Sequence, residues 1–365
     1  MAEFTQCPRQ PRKNEILPKT LDEYTHKKIG TGDNEGKSAA ASAPQKAKFR
    51  QYLSIARFDH ATKHVFIIPG IIIAYALREP SLQHAAFTIC IGFASAVLIA
   101  SANYVINEWL DRSFDAAHPV KSGRTAVNWT LSPQLVYLEY LILAATGLLL
   151  AYLVGTAFFY TSVLFVASGL IYNVKPLRSK DWPYLDVISE SINNPIRLTL
   201  GWAMIETASL PPLSLLLGYW TAGAFLMSAK RLSEYRDIST SQGIDQLQLY
   251  RSSFRFYTAE NLTVSCFLYA MMSAFFIAIF LIRYRLEYII ALPFIAVLFA
   301  SYLWLSLRKG SIAQRPERMF RSRRLVFSLA LAVIVMTIVS FVDLPFLQKL
   351  FEPGFTPVEM EKGNG

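Results

Sequence analysis

Four oxygen-bearing side chains lie close together in the stretch SANYVINEWLDRSFDAAHPVKSGR, which follows a long apolar run. Asn107, Asp111 and Asp115 are spaced i, i+4 and i+8, so on a helix they fall within roughly 80° of one another. Glu108 stands at the edge of the same face. Mg²⁺ binds through one or two carboxylates and takes its other oxygens from water or substrate phosphates. We therefore predict that these four residues bind Mg²⁺ and that Asp111 and Asp115 are catalytic; a solvated helix end is the alternative.

A second charged cluster ends another apolar run, in FLMSAKRLSEYRDI. Glu234 and Asp237 are three residues apart and share a helical face, and Lys230 can pair with Glu234 four residues on. A surface ion pair worth a few tenths of a kcal/mol is one interpretation. The other is that Lys230 and Arg231 clamp phosphates. We predict Lys230, Arg231 and Glu234 as substrate contacts and Asp237 as a further metal ligand.

A third polar group lies inside the apolar run YLDVISESINNPIRLTLGW. At spacings of 4, 3, 1 and 3 it contains Asp186, Glu190, Asn193, Asn194 and Arg197. Ionisable residues in a membrane span face a bundle interior or a cavity, and they commonly mark function. We therefore predict Arg197 as a substrate contact; an internal salt bridge between Glu190 and Arg197 is the alternative.

The elements that must position these groups are membrane-spanning helices. The chain of 365 residues is 53% hydrophobic, and its apolar residues are concentrated after residue 58 in long runs separated by charged loops. Since about 20 apolar residues span a bilayer, the runs predict an all-α polytopic membrane bundle of about nine transmembrane helices. The predicted spans are 60–78, 84–106, 131–153, 155–173, 185–205, 211–229, 259–282, 287–306 and 325–345.

Lysine and arginine alternate between the loops on the two sides of these spans. The segment before the first span carries eleven of them up to Arg57, and the outer loops carry only Arg78, Arg283 and Arg285. Because positive residues accumulate in cytoplasmic loops, we expect a multi-pass protein of the cell (inner) membrane. Its N-terminus and its active site would face the cytoplasm.

We predict three regions: a disordered cytoplasmic tail at 1–50, a transmembrane catalytic domain at 51–345 and a short non-cytoplasmic tail at 346–365. The N-terminus has no apolar core of a secretory signal. The net charge of +10 belongs mostly to loops between spans, which disfavours nucleic acid as a partner. Cys7, Cys90 and Cys266 have no zinc-binding spacing.

The chain resembles the UbiA superfamily of intramembrane prenyltransferases. Its stretch from Asn107 to Asp115 is similar to the first Asp-rich motif of that superfamily, NDxxDxxxD, with Glu108 in place of the usual Asp. The segment His118-Pro119-Val120-Lys121 and the later KRxxE segment are similar to those of one branch, the decaprenyl-phosphate phosphoribosyltransferases. The opening ARFDHATKHVFIIPG also resembles the family, although Phe58 stands where Pro is usual and His64 where Asn is usual.

The resemblance implies a UbiA-like bundle and an enzyme that transfers 5-phosphoribosyl from phosphoribosyl pyrophosphate to a polyprenyl phosphate, with Mg²⁺ as cofactor. The product would lead towards a polyprenyl-phosphoryl arabinose donor for arabinosylation of a glycan or a nodulation signal. It also implies further substrate contacts at Lys63, Lys121, Arg124, Tyr172 and Lys175. Two alternatives stay open: polyprenyl transfer from a polyprenyl pyrophosphate to an aromatic acceptor, and a transporter or lipid-binding protein without chemistry. The sequence leaves the oligomeric state open.

Overall fold

The structure, a computed structural model, describes residues 46–78, 82–116, 118, 121–284, 286–308, 311, 314 and 322–351. The first half contains α1 (Phe49–Ile55), α2 (Ile68–Arg78), α3 (Leu82–Asp115), α4 (Thr125–Asn128), α5 (Pro133–Val154), α6 (Thr156–Asn173) and α7 (Leu185–Ser191). The second contains α8 (Asn193–Ala203), α9 (Leu213–Ser241), α10 (Ile244–Tyr250), α11 (Ala259–Tyr284), α12 (Leu292–Ser306), α13 (Arg323–Phe341) and α14 (Pro345–Phe351). Five 3-10 segments lie at Phe58–Ile67, Lys121–Gly123, Ser179–Asp181, Ser252–Arg255 and Leu286–Ala291.

The prediction of an all-α fold is confirmed, since the regular elements in the described ranges are helices and the only other pairing there is an isolated bridge between Lys46 and Thr130. Five described segments are long and apolar enough to cross a membrane, namely Ala85–Asp115, Pro133–Val154, Thr156–Asn173, Ala259–Tyr284 and Leu286–Ser306. A shorter apolar helix covers His64–Arg78. A polytopic membrane bundle agrees with these helices, and the count of nine spans stays a prediction.

The spans predicted at 60–78 and 287–306 each begin in a 3-10 segment, and the span predicted at 84–106 lies in α3, which continues to Asp115. Two further spans also differ in form from a single apolar helix. The segment predicted at 185–205 is divided into α7 and α8, which meet at Ile192. The segment predicted at 211–229 belongs to α9. This helix continues beyond the predicted apolar span, as a more polar helix, to Ser241. Both differences concern the segments that carry the charged groups.

The loops between neighbouring helices are short where local chemistry permits a sharp reversal. Pro133 occupies the first turn of α5, where its missing N–H would have no helical partner. Gly155 alone separates α5 from α6. Its φ is 146°, a backbone conformation that residues other than glycine rarely adopt. This reversal holds α5 and α6 side by side.

Helix α8 lies at the centre of the bundle, and its residues from Pro195 to Ala203 are all buried. It packs against α2 backbone to backbone. A Cβ atom at Gly70 would collide with the carbonyl oxygen of Leu198, and one at Gly201 would collide with that of Ile67. Such close approach between membrane helices needs small residues at the contact. The contact fixes the depth of α8 in the bundle.

The predicted tail at 1–50 lies outside the described residues as far as residue 45, and α1 begins at Phe49. Of the predicted tail at 346–365, residues up to 351 belong to α14 and the others lie outside the described residues.

Candidate active site

A cavity of about 870 Å³ opens between α1, α3, α6, α7, α8 and α9. Most of its charged and polar lining comes from the motifs identified in the sequence. The predicted site residues that line it are Asn107, Glu108, Asp111, Lys121, Arg124, Tyr172, Arg197, Lys230 and Glu234. Asp115, Lys175, Arg231 and Asp237 lie elsewhere in the described structure. Lys63 is in the 3-10 helix Phe58–Ile67, and its side chain is outside the described residues.

Asp111 lies in the last two turns of α3, and one of its carboxylate oxygens contacts two cationic side chains. Its Oδ1 is 2.9 Å from Arg178 Nη2 and 2.5 Å from Lys180 Nζ. Both contacts use Oδ1, which leaves Oδ2 with no hydrogen-bond partner among the described residues. One turn earlier, Asn107 donates from Nδ2 to Asn173 Oδ1 at 2.6 Å, so its own Oδ1 is likewise available. These two hard oxygens are the ones that fit Mg²⁺.

Glu108 has both carboxylate oxygens engaged and is 3% exposed. Arg57 Nε donates to Oε2 at 2.7 Å, and the backbone N–H of Ala126 donates to Oε1 at 3.3 Å. The longer side chain of Glu108 therefore joins α3 to the segment after α1 and to α4. Its proposed role as a metal ligand would require exchange of these partners.

Asp115 is buried behind the cavity, where it holds two of the predicted cations. It forms an ion pair with Arg124, and its Oδ1 is 4.0 Å from Lys121 Nζ. Lys121 also donates its backbone N–H to His118 Nδ1 at 3.1 Å. Asp115 thereby fixes the loop after α3 so that Lys121 and Arg124 face the cavity.

Burial and neighbouring charge change the protonation of this loop. Burial, followed by the positive charge of Lys121, lowers the pKa of His118 to about 4, so the imidazole is neutral at physiological pH. Burial also lowers the pKa of Lys121 to about 8, against the opposing influence of Glu234. Lys180 behaves similarly, because burial lowers its pKa to about 8 although Asp111 favours the charged form.

Arg231 is fully buried and forms the centre of an ion-pair cluster behind the cavity wall. Its guanidinium contacts Asp186 at 3.1 Å, Glu190 at 2.6 Å and Glu234 at 3.0 Å. Arg251 shares Asp186 at 3.0 Å. This arrangement makes Arg231 a positioning residue for the carboxylates, whereas Lys230 lines the cavity itself.

Tyr172 donates a hydrogen bond from its hydroxyl to Glu190 Oε2 at 2.9 Å, and it lines the cavity. Lys175 is exposed in the loop after α6. Asp237 Oδ2 accepts a hydrogen bond from Gln314 at 2.5 Å, so it connects α9 to the segment after α12. The predicted alternative of a Glu190–Arg197 salt bridge is not formed: Glu190 pairs with Arg231 and lies 3.8 Å from Lys230.

Spacing and resemblance do not assign Arg178, Lys180, Asn173 or Arg251 to the site. The three basic residues lie in loops, where the distribution of positive charge accounts for them as orientation signals. In the structure, two of them neutralise Asp111 and the third neutralises Asp186. Within the described ranges no three His, Cys, Asp or Glu side chains cluster as a preformed metal site. Four carboxylates that line the cavity each contact a cationic side chain instead, namely Glu108, Asp111, Glu190 and Glu234.

Known proteins share this fold. A UbiA homolog from Archaeoglobus fulgidus bound to GPP and Mg²⁺ aligns with a TM-score of 0.59 at 18% identity, over 80% of this chain and 99% of that one. The homolog bound to DMAPP and Mg²⁺ gives the same TM-score and identity, over 80% and 100%. A structure of digeranylgeranylglyceryl phosphate synthase aligns with a TM-score of 0.53 at 11% identity, over 80% and 95%.

A curated relative, the uncharacterized protein y4nM of Sinorhizobium fredii, is 28% identical over 170 residues. Those residues are 46% of this chain and 32% of that protein, so the chain spans about a third of the length of that relative. A family model described as the UbiA prenyltransferase family matches residues 66–327. Because this match covers well over half of the 365 residues, the chain belongs to the UbiA prenyltransferase family.

Proposed function

We propose that the chain is an Mg²⁺-dependent membrane transferase that moves 5-phosphoribosyl from phosphoribosyl pyrophosphate to a polyprenyl phosphate and releases pyrophosphate. The observation that carries the proposal is the convergence of two basic motifs from distant parts of the chain. Lys121 of the HPxK segment and Lys230 of the KRxxE segment line one cavity and both interact electrostatically with Glu234. Lys121 and Lys230 share Glu234 as a neighbouring negative charge, and two such lysines suit a donor that carries two phosphate centres.

In this proposal the cavity residues bind the charged parts of both substrates. Asn107 Oδ1 and Asp111 Oδ2 would hold Mg²⁺, which would supply positive charge for the leaving pyrophosphate. Lys121, Arg124 and Lys230 would bind donor phosphates. The bond from the anomeric carbon to pyrophosphate breaks, and the pyrophosphate leaves with the electron pair. A bond from the same carbon to an oxygen of the lipid phosphate forms. That phosphate is already an anion, so no strong general base is needed, and His118, whose pKa is lowered to about 4, is too weak a base to supply one.

A second candidate is prenyl transfer from a polyprenyl pyrophosphate to an aromatic acceptor. It is favoured by the family to which the chain belongs and by the Archaeoglobus fulgidus homolog, which binds GPP or DMAPP with Mg²⁺. Both reactions release pyrophosphate, so Asp111 and Asn107 would act alike in each. The presence of both Lys121 and Lys230 in one cavity favours phosphoribosyl transfer over prenyl transfer, since an isoprenyl donor has only one phosphate cluster.

The deciding experiment uses the full chain in nanodiscs with Mg²⁺. Phosphoribosyl pyrophosphate with undecaprenyl phosphate is compared with geranylgeranyl pyrophosphate and 4-hydroxybenzoate, and both pyrophosphate and the lipid product are measured. We expect turnover with the first pair, and none in the matched Asp111→Asn variant. Turnover with the second pair alone would establish prenyl transfer instead. Turnover with neither would favour the non-enzymatic alternative.

We further propose that this site faces the cytoplasm of the cell membrane and that the product leads to a polyprenyl-phosphoryl arabinose donor. Lys121 and Arg124 line the cavity and lie in a loop that the alternation of positive charge predicts to be cytoplasmic. Reporter fusions at the two ends of the chain test the orientation. A cytoplasmic signal at the N-terminus and a non-cytoplasmic signal at the C-terminus are expected; like signals at both ends would contradict it.

A further inference from the structure

Arg197 differs from the other arginines that line the cavity. It is 8% exposed in the centre of the bundle, and its Nε has no hydrogen-bond partner in the described structure. By contrast, Arg57, Arg124 and Arg251 each pair with a carboxylate. The guanidinium of Arg197 instead lies 5.2 Å from the centre of the Phe165 ring.

A guanidinium does not lose its proton in a protein. Burying such a charge without a counter-charge is unfavourable. The contact with one aromatic ring offsets only a part of that cost. An arginine held in this state at a cavity wall therefore indicates that a negative charge arrives with a ligand.

The position of Arg197 is fixed by the backbone. The close approach between α8 and α2 at Leu198 and Gly201 lies just after Arg197 on the same helix and holds that part of α8 in place. Glu190, the nearest acid along the chain, is on the other side of the break at Ile192 and is bound to Arg231. Asn194, one turn before Arg197, lines the same cavity and has no hydrogen-bond partner among the described residues.

We propose that Arg197 and Asn194 form an inner anion site that takes the phosphate monoester of the acceptor lipid, separate from the outer lysines that take the donor. The inference rests on the proposed function. A tetrahedral phosphate has enough oxygens to accept from both the two-pronged guanidinium and the amide. Val65, Phe66 and Leu226 line the cavity as well and provide an apolar wall for an isoprenyl chain.

The test measures binding of farnesyl phosphate to the full chain in nanodiscs, without donor or Mg²⁺. Arg197→Met removes the charge and keeps most of the volume, and we expect its affinity to fall at least tenfold. Arg197→Lys keeps the positive charge but not the two-pronged guanidinium, and its affinity for farnesyl phosphate should fall by an intermediate amount. The control Arg78→Met removes a half-exposed arginine that lies near Glu206, away from the cavity, and should bind as the wild type does.

Thermal stability separates a ligand site from a structural one. Without ligand, Arg197→Met should unfold at the same temperature as the wild type or higher, because an uncompensated buried charge has been removed. A lower unfolding temperature together with unchanged farnesyl phosphate affinity would overturn the inference.

Two further outcomes distinguish this inference from the proposed function. If the wild type binds farnesyl phosphate and Arg197→Met binds it equally, the inner site is wrong and the proposed function stands. If the wild type binds 4-hydroxybenzoate through Arg197 but not farnesyl phosphate, the inner site takes a carboxylate, and both proposals fail.

Discussion

Arg57 donates a hydrogen bond from Nε to Oε2 of Glu108 across 2.7 Å, and this contact joins the N-terminal end of the described bundle to the acidic motif of α3. The length of the glutamate side chain allows this bond. An aspartate at position 108 would be one methylene short of the guanidinium.

Glu108→Asp should therefore weaken the fold more than the metal site. Loss of a charge-assisted hydrogen bond costs about 1.5–3 kcal/mol, so we expect a lower unfolding temperature in detergent. The apparent Mg²⁺ affinity measured from turnover should change by about twofold or less, because Asn107 and Asp111 retain their free oxygens. A large loss of Mg²⁺ affinity without loss of stability would instead make Glu108 a metal ligand.

Asp111→Asn and Asp115→Asn should differ, although the sequence predicts the same role for both. Asp111 faces the cavity, so its substitution should reduce turnover by about a hundredfold or more at any Mg²⁺ concentration. Asp115 holds Lys121 and Arg124 from behind, so its substitution should mainly raise the KM for the donor. Steady-state kinetics over a range of Mg²⁺ and donor concentrations measure both. Equal losses of turnover would place Asp115 in the metal site.

Arg231→Ala should destabilise the protein strongly, because it leaves three buried or partly buried carboxylates without their shared cation. Breaking a buried ion pair from one side costs about 3–5 kcal/mol. Arg231→Lys should recover only a part, since an ammonium cannot bridge three carboxylates as a guanidinium does. Lys230→Ala, the adjacent control, should keep most of the stability and lose about tenfold in donor affinity. Thermal unfolding and donor binding on the same preparations separate the two effects.

Donor affinity should fall as the pH rises through about 8. Burial lowers the pKa of Lys121 to about 8, so the ammonium that attracts phosphate is present below that pH and lost above it. Lys121→Arg keeps its charge throughout this range and should move the decline to higher pH. Donor affinity that is independent of pH between 7 and 9 in the wild type would remove Lys121 from the phosphate contacts.

The sequence predicted the parts of the site that depend on helical spacing. Asn107, Glu108 and Asp111 are neighbours on one helix, and Lys230 and Glu234 are neighbours on another. The helical repeat alone therefore puts each group on one side of its helix, where it lines the cavity. It could not predict which cation each acid would meet. Arg178 and Lys180 reach Asp111 from a loop whose path depends on tertiary packing, and as loop residues they are also explained by membrane orientation.

Hydrophobic length predicts the helical segments but not where they divide, and one division is informative. The run 185–205 is apolar enough to predict one span, and its division at Ile192 lies between Glu190 and Arg197. The division therefore sends Glu190 to the Arg231 cluster and leaves Arg197 to the cavity. The spacing of the residues does not distinguish this divided helix from a continuous one on which Glu190 and Arg197 form a salt bridge.

The pairing of acids and bases throughout the cavity constrains how this protein can change during evolution. Loss of Arg178 or Lys180 would remove one of the two cations that contact Asp111, and loss of Glu190 would remove one of the two acids that interact with Lys230. A single substitution of either kind is penalised until its partner changes too. These charged positions are therefore expected to covary between related sequences, whereas Arg197, which pairs with no carboxylate among the described residues, should vary only when the substrate does.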